Sequence, residues 1–141
     1  NGRIYGVDPY LSQDPQVYID PQANVSFPAQ QTIMAGMLSR LSPFGRRFRL
    51  VRDYSPGCIA NIRRTIGIPD CVYPDGNHGY RHVNDEIRAW WSVLGPGCIL
   101  GGHDYNDVYG VKQAVDEFVA ENQLKVHVTG EPQDPSWFVL K

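Results

Sequence analysis

The chain has 141 residues, 42% hydrophobic and 20% charged, with a formal net charge of −2. That length fits a single domain over residues 1–141 with a real core, and the balanced charge excludes a general nucleic-acid surface or a polybasic membrane surface. No apolar run approaches the roughly 20 residues of a membrane span, and the start shows neither a signal-peptide core nor a basic targeting segment. The chain therefore reads as soluble and intracellular, with the compartment open.

The first predicted element is a strand at residues 3–7, reached at once after Asn1-Gly2. A chain without an initiator methionine that opens on a core strand is expected to be processed, cut from something larger, or missing its first element. Residues 8–28 are rich in Pro, Gln and Asp and read as an ordered surface loop or lid. Ile33, Met34, Met37, Leu38 and Leu41 then recur at helical spacing. A strand follows at 48–52 and a short helix at 59–65, with Ser55-Pro56-Gly57-Cys58 at its start. Arg46, Arg47 and Arg49 read as a solvated face, with a partner or an anionic substrate as the alternative.

A strand at 70–73 leads into a second helical stripe, Val83, Ile87, Trp90, Trp91 and Leu94. A strand at 98–102 leads into a third, Val111, Ala114, Val115, Phe118 and Val119. This alternation indicates βαβ units and a mostly parallel sheet. Two last strands, at 125–129 and 136–140, are joined by Gly130-Glu131-Pro132-Gln133-Asp134-Pro135. That connection is too short for a crossover helix, so the pair should form an antiparallel hairpin. Cys58, Cys71 and Cys98 are an odd, widely spaced set, which disfavours a disulfide framework or a zinc knuckle. Cys71 and Cys98, at strand starts, are expected to be buried; Cys58, after Pro56-Gly57, is expected to be more exposed.

In an open α/β sheet, ligands collect outside the carboxyl ends of the strands. Asp75, Asn77, His78, His103 and Asp104 would share that rim. His78 is the first candidate for a general base, because a neutral imidazole can take a hydroxyl proton near neutral pH; His103 is the alternative base or a metal ligand. Asp75 and Asp104 could hold Mg²⁺ or a similar hard cation, or hydrogen-bond a substrate directly. Their structural alternatives are a turn with Gly76 and a helix cap. Asp8 is either an acceptor for ribose hydroxyls or a turn residue before Pro9. Tyr80 and Tyr105 could line a substrate pocket. Trp90 and Trp91 are assigned to core and helix–sheet packing, and His82, on the solvent side of its helix, and His127, in a late strand, are read as structural.

Asp75-Gly76-Asn77-His78-Gly79-Tyr80, Trp90-Trp91, Pro96-Gly97-Cys98 and His103-Asp104-Tyr105 together resemble the motifs of the class I S-adenosylmethionine-dependent methyltransferases, in particular their small-molecule and sugar O-methyltransferase branch. The segments 110–118 and 3–10 are similar to the same family. The resemblance implies a three-layer, Rossmann-like α/β fold, mostly parallel, with a C-terminal antiparallel hairpin. It also implies S-adenosylmethionine as cofactor, with Asp8 at its ribose, Asp53 and Tyr54 near its adenine, and Asp75 beside it. The alternative for Asp53 is a helix cap or loop carboxylate.

The family's Gly-rich cofactor loop precedes the segment matching residues 3–8, so the first strand and helix are expected to be missing here. Pro74 and Cys98 also depart from the family pattern. The strands at 3–7 and 70–73 are then expected either to pair with each other or to be completed by another chain. The function implied is transfer of a methyl group to an oxygen of a small hydroxylated substrate, with a sugar as one such acceptor. The alternative is a catalytically inactive module that serves as a structural or interaction subunit of a larger assembly.

Overall fold

The computed structural model describes residues 2–21 and 23–141. The chain divides into two compact units, residues 1–58 and 59–141.

The first unit holds β1 (Ile4–Val7), α1 (Phe27–Leu41), a 3-10 segment (Ser42–Arg47) and β2 (Phe48–Val51). β1 and β2 pair in parallel, with Ile4 opposite Phe48 and Val7 opposite Val51. Between β1 and α1 the described residues are irregular but tied down. Asn24 Oδ1 accepts from the Gln13 amide at 2.9 Å, Asn24 Nδ2 donates to the Gln13 carbonyl at 2.9 Å, and Gln31 Nε2 donates to the Tyr10 carbonyl at 2.8 Å. Pro28 sits in the first turn of α1, where its missing N–H costs no helical bond.

The stripe expected to bury one face of α1 does not do so. No residue of this helix is buried, and Ile33 and Leu38 are 49% and 41% exposed. Its main packing neighbour among the described residues is the 3-10 segment, whose residues are themselves exposed, and Met34, Met37 and Leu41 of the stripe are only half-buried.

The second unit runs α2 (Ile59–Ile66), β3 (Cys71–Val72), α3 (Tyr80–Val93), β4 (Ile99–Gly102), α4 (Val111–Glu121), β5 (His127–Val128) and β6 (Trp137–Leu140). Its sheet has the order β3-β4-β6-β5, parallel between β3 and β4 and antiparallel at the other two pairings. The expected terminal hairpin is therefore present, with β6 inserted between β4 and β5. β1 and β3 belong to separate sheets and do not pair with each other. β1 makes its ladder with β2, and β3 makes its ladder with β4.

The stripes of α3 and α4 do form the core. Val83, Ile87, Trp90 and Leu94 from one, and Val111, Ala114, Val115 and Phe118 from the other, are buried together with Leu100, Trp137 and Val139 of the sheet. The ring of Trp91 meets Phe118 edge-on at 5.4 Å. Each fully buried large side chain contributes about 1.5–3 kcal/mol of transfer free energy, which anchors the strand ends.

The cysteine expectation is reversed. Cys58 is fully buried, Cys71 is exposed and Cys98 is intermediate. Cys58 closes a turn in which its N–H donates to the Tyr54 carbonyl, whereas Cys71 opens a strand at the sheet edge. Among the described residues, no helix is long and apolar enough to cross a membrane.

Candidate functional site

The parallel register sets Val72 opposite Leu100. Extended three residues past that pair, the register brings Asp75, three residues beyond β3, level with His103, one residue beyond β4. Two glycines permit the close approach. A Cβ on Gly102 would lie 2.7 Å from the Pro74 carbonyl oxygen and 2.9 Å from Trp137 Nε1, and one on Gly101 would lie 2.7 Å from the Trp137 carbonyl oxygen. Any larger residue at either position would force the strands apart and move the rim.

His78 is fixed by its backbone. Its carbonyl accepts from the Gly110 N–H at 3.1 Å, and Asn77 Oδ1 accepts from the Gly79 N–H at 2.9 Å just ahead of α3. The Tyr109 ring lies 5.1 Å from the imidazole. Asp104, 8% exposed, has φ of 57°, the left-handed region that Asp tolerates better than most residues but still at a cost. That turn is closed by the Asn106 N–H donating to the Asp104 carbonyl at 2.7 Å.

Four side chains of the rim converge. His78 Nε2 is 2.9 Å from Asp104 Oδ2 and 3.8 Å from Asp75 Oδ1. His103 Nδ1 is 3.5 Å from Asp104 Oδ1 and 3.8 Å from Asp75 Oδ1. The side chains of His78 and Asp104 are sheltered, at 14% and 11% exposure, whereas His103 and Asp75 reach solvent at 39% and 51%. A carboxylate against an imidazole orients the ring and stabilises the imidazolium formed when it takes a proton. Asp75, His78 and Asp104 also each offer a ligand atom within 4.8 Å of the others, a donor set that fits a divalent cation.

Beneath the cluster is a cavity of about 20 Å³, lined by Asp75, His78 and His103 and also by Val83, Glu86 and Trp137. Glu86 and Trp137 were not read as site residues in the sequence. Glu86 carried a signal, because it is a carboxylate within the apolar stripe of α3. Trp137 carried none, since its position depends on pairing opposite Gly102.

The other sequence candidates make contacts within their own units. Asp8 and Asp53 follow the neighbouring ends of β1 and β2 in the first unit, and both of their N–H groups donate to the Val51 carbonyl at 3.1 Å. Asp8 Oδ1 accepts from the Tyr10 N–H at 2.6 Å, and Asp53 Oδ1 from the N–H of Tyr54, whose side chain is exposed. Burial, and then the Asp8 charge, push the Tyr10 hydroxyl up from its ordinary value. Tyr80 and Tyr105 turn their hydroxyls toward α4, donating to Glu117 and Asp116 respectively. The bond to Glu117 raises Tyr80 and lowers Glu117, and burial with the Asp116 bond pushes Tyr105 to about 12. His82, whose side chain is 33% exposed, has Nε2 3.6 Å from Glu86, and His127 stacks on Phe138 at 4.8 Å.

Residues 1–105 match the family model described as a methyltransferase domain. No curated protein sequence matches the chain. Among solved structures, the precorrin-6Y C5,15-methyltransferase of Geobacter metallireducens is similar at 16% identity and a TM-score of 0.65, over 100% of this chain and 68% of that one. CalS11, a TDP-rhamnose 3'-O-methyltransferase of calicheamicin biosynthesis, is similar at 18% identity and 0.59, over 98% of this chain and 58% of that one. Aeropyrum pernix fibrillarin, with natively bound S-adenosyl-L-methionine, is similar at 15% identity and 0.60, over 99% of this chain and 56% of that one. The chain thus spans under two thirds of the last two structures, and at these identities the likeness is one of fold. With the family model covering most of its length, the chain belongs to the methyltransferase-domain family and has the α/β fold of the S-adenosylmethionine-dependent methyltransferases.

Proposed function

We propose that this chain takes part in methyl transfer from S-adenosylmethionine to an oxygen of a small hydroxylated acceptor, with a sugar as the preferred class. The observation that carries the reading is the convergence of Asp75, His78, His103 and Asp104 at the carboxyl ends of two parallel strands. A structural neighbour that methylates the 3'-oxygen of TDP-rhamnose supports the acceptor class.

The cofactor supplies an electrophilic sulfonium methyl. With the cofactor bound, an acceptor oxygen would bond to that methyl carbon as the C–S bond breaks with its electron pair left on sulfur. S-adenosylhomocysteine would be the leaving group, and the hydroxyl proton would pass to a base. Positioning and one base suffice for that step. We assign the base to His103, ahead of His78. His103 is the more exposed imidazole, and its Nδ1 side faces the carboxylates of Asp104 and Asp75, which leaves Nε2 to take the proton. Both ring nitrogens of His78 are buried, so its role is to hold Asp104 or a cation. A divalent cation, Mg²⁺ or a softer ion that accepts imidazole, would sit on Asp75, His78 and Asp104 and orient substrate oxygens. Without it, the carboxylates would hydrogen-bond the acceptor directly. Asp8 is proposed to accept from the cofactor ribose hydroxyls, and Asp53 and Tyr54 to face its adenine.

A second reading, a non-catalytic module that works through a partner chain, is favoured by α1, which buries no residue and leaves Phe27, Ile33 and Leu38 exposed. Calorimetric titration with S-adenosylhomocysteine, with and without Mg²⁺, separates the two. Saturable binding supports the enzyme reading. A methylation screen should then lose about 10²–10⁴-fold in rate with His103→Ala, as expected for removal of a general base. A folded chain that binds no S-adenosylhomocysteine overturns it in favour of the partner module.

A further inference from the structure

We infer that the cavity beneath the histidine and aspartate cluster seats one hydroxyl group, held between the Trp137 indole and the Glu86 carboxylate. Trp137 is 2% exposed, and its buried Nε1 has no hydrogen-bond partner among the described residues. Buried donors in native proteins are almost always satisfied, by protein, ordered water or ligand, so this one marks a place on the cavity wall for an accepting oxygen, which a substrate hydroxyl can take from water. The indole is held there by pairing opposite Gly102, where the missing side chain makes room for Nε1.

Glu86 is the second polar group on the cavity wall. It is 5% exposed and lies between Val83 and Trp90 on the buried face of α3. The His82 imidazole Nε2 stands 3.6 Å from its carboxylate. An indole N–H only donates and a carboxylate only accepts. The group that satisfies both must accept from one and donate to the other, which a hydroxyl does. A carbonyl cannot donate, an ammonium cannot accept, and a carboxylate would be repelled by Glu86 and Asp75.

Size agrees with this choice. About 20 Å³ admits one water-sized group and excludes a sugar ring. Asp75, His78 and His103 line the same cavity. On the reading that His103 deprotonates the acceptor hydroxyl, which this inference takes over from the proposed function, the seated hydroxyl is a second one on the same acceptor. The favoured substrates are therefore polyols with neighbouring hydroxyls, and Glu86 and Trp137 are specificity residues.

The test follows the ¹⁵N-labelled indole N–H of Trp137 by NMR in the full chain titrated with 1,2-ethanediol. 1,2-Dimethoxyethane, which cannot donate, serves as control. The Trp137 signal should move saturably with the diol and not with the diether. Glu86→Leu should weaken that response by about tenfold or more, one charge-assisted hydrogen bond's worth, while Glu86→Gln, which keeps an accepting oxygen, retains most of it. An unmoved Trp137 signal in the folded wild type, an equal response to the diether, or a full response in Glu86→Leu would overturn the inference. Calorimetry with S-adenosylhomocysteine on the same sample keeps the two readings apart. Cofactor binding with a silent Trp137 removes the hydroxyl seat alone. A responsive Trp137 without cofactor binding removes the methyl-transfer reading and leaves the seat standing.

Discussion

Gly110→Ala should be the most disruptive single-methyl change in the second unit. A Cβ at Gly110 would fall 2.3 Å from the Tyr80 nitrogen and 2.4 Å from its Cα, both backbone atoms that cannot swing aside. Reaching ordinary van der Waals contact would require the N-termini of α3 and α4 to separate by about 1 Å, an overpacking that typically costs about 1–3 kcal/mol. Gly110 has φ of −80°, which alanine adopts freely, so the cost is steric and not conformational. The separation would also break the bond from the Gly110 N–H to the His78 carbonyl, at about 0.5–1.5 kcal/mol. The expected loss is about 2–4 kcal/mol in urea unfolding followed by tryptophan fluorescence. Trp90, Trp91 and Trp137 all lie in residues 59–141, so the signal reports this unit. Gly130→Ala, where nothing lies within 4 Å of the added carbon, is the control and should stay within about 0.5 kcal/mol of wild type. If Gly110→Ala matched that control, the close approach of the two helices, and with it the bracing of His78, would be refuted.

Leu100→Ala, at a fully buried position of β4, should destabilise the same unit by about 2–5 kcal/mol, and a loss under about 1 kcal/mol would mean the β4–β6 core is loosely packed. Tyr105 gives a pH signature. Burial and Asp116 raise its hydroxyl from 10.0 to about 12, so the folded state holds the proton more tightly than the unfolded state. That contribution is whole below pH 10 and is lost as the pH rises toward 12, so the stability gap between wild type and Tyr105→Phe should shrink across that window. A gap that is flat or widening there would count against the Tyr105–Asp116 bond. Alkylation of the native chain should modify Cys71 and spare Cys58, read by peptide mass spectrometry, whereas early labelling of Cys58 would show that the turn at residues 54–58 is open.

Most of the second unit was legible in the sequence, and so was the cluster at its rim. The stripes of α3 and α4 are long and strongly periodic, and each short strand ends in turn chemistry, so the elements follow from local pattern. Asp75, His78, His103 and Asp104 could be grouped because two parallel strands joined by one helix must present their carboxyl ends on the same side. The stripe of α1 shows where this kind of reading fails. Its apolar residues recur at helical spacing but are much less cleanly segregated to one face than those of α3, and period reports which residues share a face and not whether another surface covers it.

By itself, then, the amino-acid order determined the helices, the strands, the terminal hairpin and the side on which the polar loops gather, because these depend on neighbours a few residues apart. Tertiary structure decided the rest. A hairpin pattern does not say which of its strands joins the sheet, and the choice of β6 over β5 is what sets Trp137 opposite Gly102 beside the candidate site. Burial of Cys58 and exposure of Cys71 follow from a turn and a sheet edge that no cysteine spacing encodes. The cavity shared by Glu86 and Trp137 lies between a helix and a strand about fifty residues apart in the chain, so its chemistry exists only once packing has brought them together.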